Sequence, residues 1–455
     1  MFDHILGQPA TAQLAADFEQ GRLPPSILLA GPAASGKGTT ALELARVFSC
    51  AGRISAGHSS AGADCDCPSC ARHRLLSHPD LLCLGSRDFS AEIAGAADAF
   101  ARAVDAGREM EARERTFILS IKKLLARFAV VLWEDDPKFG KLTNLILALE
   151  EDVEEISALK KSGAEAARKR CAAILKDAVK LEAEGIADAI PINQIRRAAA
   201  WAHLAPSGTR KTMIIENADR MQEGARNSLL KILEEPPAAV SIILATCHEQ
   251  ALLPTILSRV RPYRFVQRPL ETEAEVMRRV FGAREPDYEK DAKGAKDGGL
   301  SITAHLKTFL PVTDETLRPL AAYLAASVAM TTALSLRRPA SALPWELVAL
   351  GKYAAPIAEA AGLGRPVKNM QVLIEKLLAS TGNFEMRGLF SRFLQILLAL
   401  VGESCATRFS PAYLDIWRDC AAEAGASLYY NQKPAATLNR LTIEARRAMT
   451  ALWRV

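Results

Sequence analysis

Apolar residues follow one another along this chain in two rhythms. Short unbroken runs, Ile27–Ala30, Thr212–Ile215 and Val240–Ala245, have the length and continuity of strands covered on both faces. Between them apolar residues recur every three or four positions. Leu229, Leu230 and Leu233 mark a helix over Gln222–Glu235 that stops at Pro236-Pro237. Helices are also expected over Pro9–Glu19, Ile192–Leu204, Thr272–Phe281, Ser301–Phe309, Thr313–Met330 and Met386–Val401. Strand signals cease at Pro269. The pattern predicts a strand-and-helix domain followed by helices alone.

One long interval, Arg87 to Asp188, is helical in pattern throughout, with one clear break at Glu134–Gly140. Folding the chain back there sets Phe128 against Ile146 and Phe117 against Glu151–Ile156, with Phe100 near Ile174 and Ile93 near Leu181. Apolar positions meet along both arms, so an antiparallel helical hairpin is expected. Unbroken arms of about 40 residues would project roughly 60 Å, as a contact for DNA or a partner, or as a solvated stalk.

The chain is 455 residues long, enough for two to four domains, and its 49% apolar and 24% charged residues are those of an ordinary globular protein. No apolar run of about 18 residues and no N-terminal signal is found, so the expectation is a cytoplasmic protein without membrane contact. A net charge of +5 permits contact with phosphate without arguing for it. Nine cysteines, clustered early, suit a reducing compartment and a metal site better than a disulfide framework.

Three constellations carry chemistry. Gly31 to Lys37 fits G-x4-G-K between a strand and a helix, with Ser35, Gly36, Lys37, Gly38 and Thr39 as nucleotide-binding candidates for ATP or ADP. Backbone amides, the helix N-terminus and Lys37 would supply positive charge to a phosphate. The position after the lysine usually offers a hydroxyl to magnesium; here it is Gly38, followed by Thr39 and Thr40. A turn kept without nucleotide is the other reading. Glu216, Asn217 and Asp219 stand where the strand ends, the place at which open α/β sheets bind ligands. Cys50, Cys65, Cys67 and Cys70 can close a tetrahedral shell on structural zinc, with His58 or His73 as substitutes, and unliganded thiols as the alternative.

The words IIENADRM, NSLLKILEEPP, IILAT and LPTILSRV, in one order over Lys211–Arg264, resemble the AAA+ module of bacterial DNA polymerase III clamp-loader subunits, nearest to the delta-prime type. GRLPPSILLAGP, HPD at His78–Asp80 and TLNRLTIEARRAMTALW extend the likeness over most of the chain outside the Arg87–Asp188 interval, which is then an insertion. The resemblance implies a five-stranded parallel AAA+ sheet over residues 1–267, carrying a zinc module at about 50–70 and the helical insertion at about 87–188. It further implies a helical lid over 268–331 and a helical collar over 332–455. Members usually carry Asp-Glu where this chain has Glu216-Asn217: by resemblance the first residue helps hold magnesium and the second orients the attacking water. An amide cannot polarise that water as a carboxylate does. Thr246 falls at the sensor-1 position. The lid word that often holds a sensor-2 arginine reads AASVAM here. Arg259, in Ser258-Arg259-Val260, is implied as an arginine finger for the neighbouring subunit, and the resemblance likewise implies that Arg196 and Arg197 lie on a helix facing the central chamber, as DNA-contact candidates.

Relative to the family's zinc module, the first cysteine gap is longer and Cys65-x-Cys67 one residue tight. The function so implied is a non-hydrolysing subunit that joins other AAA+ subunits in a hetero-pentamer and helps load the sliding clamp on primer–template DNA. The alternatives are an ATP-hydrolysing gamma/tau-type subunit, a nucleoside monophosphate kinase suggested by GKGT, and a structural DNA-binding scaffold.

Overall fold

The computed structural model describes residues 1–52, 65–187, 189–283, 301–309, 314–337, 386–404, 411–429 and 434–454. His58, the charged stretch after Ala283, and the breaks near Pro339, Pro344, Gly362–Gly364 and Gly382 lie outside them. The chain divides into two compact units, Met1–Leu310 and Pro311–Val455.

The first unit is built on five parallel strands: β1 (Ser26–Ala30), β2 (Leu81–Leu84), β3 (Lys211–Ile215), β4 (Val240–Thr246) and β5 (Arg261–Arg264), in the order β2-β3-β4-β1-β5. The apolar runs read from sequence are β1, β3 and β4, and every residue of these three is buried. Registers run in step, from Ser26 opposite Ile242 to Ala30 opposite Thr246, and from Lys211 opposite Val240 to Ile215 opposite Leu244. The C-terminal ends of the strands therefore line up. The loops after β1, β2, β3 and β4 share one rim, where a ligand would sit.

Helices cover the sheet: α1 (Pro9–Glu19), α2 (Lys37–Phe48), α3 (Pro68–Arg74), α4 (Phe89–Ala106), α5 (Met110–Leu125), α6 (Val130–Trp133), α7 (Phe139–Glu155), α8 (Ala164–Gly185), α9 (Ile192–His203), α10 (Glu223–Glu234), α11 (Pro254–Leu257), α12 (Leu270–Phe281) and α13 (Ile302–Thr308). Asp80 fixes the entry into β3: its carboxylate accepts from the Ser207 and Gly208 amides at 2.8 and 2.6 Å.

The insertion is helical, but each expected arm is folded in two. Gly107 ends α4 with φ +63° and Gly163 precedes α8 with φ +84°, conformations that cost a side chain dearly. The longest of its helices, the 22 residues of α8, spans about 33 Å, so the roughly 60 Å projection does not form. Helices α4 and α8 pack closely, and the residues the hairpin was expected to pair, Ile93, Phe100, Ile174 and Leu181, are all fully buried. The same core holds Leu82, Leu84 and Ile215 of the sheet, so the insertion is packed on the β2 side as part of the domain.

The second unit comprises α14 (Asp314–Leu336), α15 (Met386–Ser404), α16 (Pro411–Tyr429) and α17 (Pro434–Arg454) among the described residues. Helix α14 spans the junction expected between lid and collar and packs as one piece against α15 and α17. Within it Leu317–Leu336 is long and apolar enough to cross a membrane by length and composition only, and 61% of its window is buried in this unit. The run is alanine-rich, and Ala321, Leu324, Ala325 and Val328 enter the core beside Phe393 and Trp417.

Candidate functional site

The phosphate-loop residues lie between β1 and α2, with Gly36 in the left-handed conformation at the helix N-cap. Lys37 is buried and folds back over the loop: its Nζ donates to the carbonyls of Gly31 (2.7 Å) and Pro32, and lies 3.4 Å from Ser35 Oγ. Burial lowers its pKa, which Cys247 and Glu216 partly oppose. Arg268, which the sequence reading did not single out, clamps the loop from beneath. Its guanidinium donates to the carbonyls of Leu6 (2.9 Å), Ala34 (2.8 Å) and Ser35 (2.7 Å). Gln8 ties the N-terminal segment to the chain just after β5, donating from Nε2 to the Val266 carbonyl at 2.9 Å and accepting from the Val266 amide on Oε1 at 3.0 Å.

Glu216 lies at this rim, as expected for the end of β3, but its carboxylate is taken. Arg127 pairs with Oε2 and Arg87 donates to Oε1 at 3.2 Å. Both arginines belong to the insertion, and sequence reasoning missed them. Arg87 also pairs with Glu92, which accepts from Lys123 Nζ at 2.5 Å. Arg127 is fixed further by a 3.0 Å bond to the Gly85 carbonyl. Phe89 lies under both guanidiniums, 5.8 Å from Arg87 and 5.2 Å from Arg127. Three cations thus meet two carboxylates.

Magnesium does not fit here. A Cβ on residue 38 would lie 2.5 Å from Glu216 Oε1 and 3.2 Å from Arg87 Nη1. The position of the usual hydroxyl ligand is filled, and the carboxylate that would face the metal faces guanidiniums. Asn217 is turned away as well: it has φ +48° and its amide donates to the Ser86 carbonyl at 2.6 Å. Thr246 is buried, donates to Asp219 Oδ1 at 2.5 Å and accepts from the His248 amide at 2.9 Å.

Two expected results follow from this cluster. Replacing Gly38 with serine forces a pinned carboxylate aside. It is expected to destabilise the chain by roughly 1–3 kcal/mol, read as a lower denaturant midpoint, and to confer no ATP turnover. Acid should dismantle the cluster. Despite the upward push of burial, Arg87 and Lys123 hold Glu92 down to about 2, and Arg87 and Arg127 lower Glu216. Carboxyls depressed in the folded state stabilise it above their unfolded pKa, near 4.5, and that contribution fades as the pH falls toward 2. For Glu92 the loss is on the order of 3 kcal/mol. Denaturant titrations from pH 6 to 3 should show the decline, and Glu92→Gln should flatten it.

Arg259 sits after α11 with a one-third exposed side chain, its Nη2 2.7 Å from Glu234 Oε1 at the end of α10. Its neighbours are separately engaged: Arg261 with buried Asp17 at 2.6 Å, Arg264 with Glu249 at 2.6 Å. On α9, Arg196 is exposed, and Arg197 donates to the Leu132 carbonyl of the insertion at 3.0 Å.

The thiols converge. The sulfurs of Cys50, Cys65, Cys67 and Cys70 lie within 4.8 Å of one another, and Cys50 and Cys70 are buried. The tight Cys65-x-Cys67 spacing does not exclude Cys65, because Cys67 heads α3 and Cys65 approaches from the other side, 3.6 Å from Cys50. His73 instead stacks on His78 at 4.1 Å. Burial raises the Cys67 pKa, but the amides of Cys70 and Gly52 more than offset it and leave it at about 6. Arg46 donates to Cys70 Sγ at 3.1 Å. Four sulfurs with a cation behind them fit a thiolate-bound metal ion.

The profile of the family described as "DNA polymerase III, delta subunit" matches residues 7–127 and 143–269, more than half of the chain. It runs through most of the interval expected as an insertion, 87–188, and only residues 128–142 fall between the matched segments, which corrects the reading that the likeness skips the whole interval. The DNA polymerase III subunit delta' of Bacillus subtilis is 45% identical over 65 residues, 14% of this chain and 19% of that protein. Its counterpart in Pseudomonas aeruginosa is 38% identical over 80 residues, 17% and 24%. The DNA polymerase III subunit tau of B. subtilis is 32% identical over 114 residues, 24% and 20%. The matches thus span a quarter or less of these relatives' length. A solved DNA polymerase III gamma-subunit-related protein from Thermotoga maritima is 20% identical, with a TM-score of 0.29 over 58% of this chain and 81% of that one.

Proposed function

We propose, starting from a chain that belongs to the DNA polymerase III delta subunit family and carries its α/β AAA+ sheet, a clamp-loader subunit that hydrolyses no ATP itself and serves its neighbour's site. One observation carries this reading: Glu216 is neutralised by Arg87 and Arg127 while Asn217, an amide, is tied to Ser86. The other carboxylate there, Asp219, accepts from the Thr246 hydroxyl and lies 3.4 Å from His248 Nδ1, so among the described residues no uncommitted carboxylate stands at the strand ends to polarise water for attack on a phosphate. A gamma/tau-type subunit with its own turnover would need that group.

Arg259 is assigned to the neighbour's site by its place in Ser258-Arg259-Val260, with its side chain one-third exposed. A guanidinium is always charged and presents a planar fork of donors, which suits charge on a transferring phosphoryl group. Its local partner, Glu234, is half-exposed; such a pair is worth about 0–1 kcal/mol and yields readily to a phosphate. Arg196, exposed on α9, is the DNA-contact candidate, with Arg197 held behind it. The partners so proposed are other AAA+ subunits in a hetero-pentamer, the sliding clamp and primer–template DNA. Lys37, Ser35, Gly36 and Thr39 would hold the phosphates of ATP or ADP. Zinc held by Cys50, Cys65, Cys67 and Cys70 would tie the end of α2 to α3 and do no chemistry.

ATP turnover, measured on the chain alone and on the reconstituted assembly with and without it, tests the proposal. The expected outcome is an inactive chain whose addition is required for full turnover by its partners. Brisk turnover by the chain alone would refute it.

A further inference from the structure

We infer that Arg87 and Arg127 stand in for the divalent cation of this nucleotide site, so that a nucleoside triphosphate is bound without magnesium. In a site of this architecture the metal lies between the acidic strand end and the phosphates, bridging two negative charges. Here the acidic group, Glu216, is met by two guanidiniums built into the chain. Arg127 is buried and anchored on both sides, to Glu216 and to the Gly85 carbonyl, so its role is to hold the carboxylate. Arg87 has the other half of the task. Its side chain is 29% exposed, and its Nη1 stands 3.2 Å from where the side chain of residue 38 would begin, beside the first turn of α2. It therefore faces the phosphate side, with Lys37 across from it.

The ion pairs set Arg87, Lys123 and Arg127 against Glu92 and Glu216, and Asp88 adds a third carboxylate that acts on Arg87. Arg87 spends its fork on Glu216 through Nη1 and on Glu92 through Nη2, so what it brings to a phosphate is a fixed positive charge held where the ion would otherwise sit. Gly38 belongs to the same arrangement: with no side chain, it leaves the room that the Arg87–Glu216 pair fills.

This rests on the reading that the chain's own centre is disarmed and is independent of what Arg259 does. The test titrates a fluorescent ATP analogue into the zinc-loaded, full-length chain in magnesium-free buffer and in millimolar magnesium. The expected dissociation constants agree within about twofold. Arg87→Gln, which keeps Arg127 on Glu216 and Lys123 on Glu92, should weaken binding about tenfold in the magnesium-free buffer, with a denaturant titration at the assay pH showing that the variant is folded. Manganese, followed by electron paramagnetic resonance with the nucleotide present, should show no ion that Glu216→Gln removes. Tenfold or greater tightening by magnesium, a manganese ion lost in Glu216→Gln, unchanged affinity in Arg87→Gln, or no binding in either buffer would each overturn the inference. Magnesium-tightened binding without turnover would sink it and leave the proposed function standing; turnover by the chain alone would sink both.

Discussion

Replacing Arg259 with alanine is expected to leave the purified chain as stable as before and to cut ATP turnover at the neighbouring subunit's site in the reconstituted assembly by about a thousandfold or more. The two halves of that result separate function from local structure. In the isolated chain Arg259 does what any surface arginine does, bonding the Thr255 carbonyl at 2.8 Å and Glu234 at 2.7 Å. If those contacts were its purpose, the cost of losing them would be at most about 1 kcal/mol, a small shift in the unfolding midpoint and nothing more. Arginines supplied in trans to a phosphoryl transfer are worth roughly 10³–10⁵ in rate, so the readings differ by orders of magnitude. Arg264→Ala is the matched control, since its partner is Glu249 and its charge is the same. Lysine at 259 should rescue little, because a point charge does not reproduce the fork. Full turnover with the Arg259→Ala chain would end the trans-arginine reading.

The second large effect concerns metal. The chain purified without chelator is expected to carry one zinc ion, held with an apparent free energy on the order of 10 kcal/mol. Each of Cys50→Ser, Cys65→Ser, Cys67→Ser and Cys70→Ser should abolish retention through gel filtration. Cys65 is the informative member: its spacing from Cys67 is the departure from the family pattern, yet its sulfur joins the cluster. The loss should be felt locally. The module ties the end of α2 to α3 through Ser69, which donates to the Ser49 carbonyl at 2.6 Å, whereas the sheet core is built from other residues. Limited proteolysis near residues 50–75 is therefore the sensitive readout. A chain without metal by elemental analysis, or a Cys65→Ser chain that keeps its zinc, would contradict the four-cysteine shell.

How much of this could be read in advance depends on how local the cause was. Strands β1, β3 and β4 were legible because burial on both faces demands a run of mostly apolar residues, with Ser26, Thr212, Ser241 and Thr246 as small polar exceptions and Lys211 at the start of β3. The phosphate loop, Glu216 with Asn217, and the cysteines were legible because each is a short word with fixed chemistry. The insertion was half legible. Matching apolar positions put Phe100 and Ile93 in one core with Ile174 and Leu181, but the turns at Gly107 and Gly163 carry a weaker signal than the proline-containing break. Arg87 and Arg127 carried no signal at all. They lie 129 and 89 residues from Glu216 in the sequence, and only the packing of the insertion against β2 brings them to it. Arg268 was hidden for the same reason, 234 residues from the loop carbonyl of Ala34 that it holds.

That the insertion shares one core with the sheet bears on how its purpose can be explored. Splicing Gly85 directly to Ile190 would remove more than an ornament. It would bare the flank of β2, strip Glu216 of both counter-charges and leave an acidic group without compensation at the mouth of the phosphate loop. Such a shortened chain should aggregate rather than revert to a simpler ancestor. Point changes on the outer faces of α5 and α7, which spare the arginines, are the way to ask what else these helices touch.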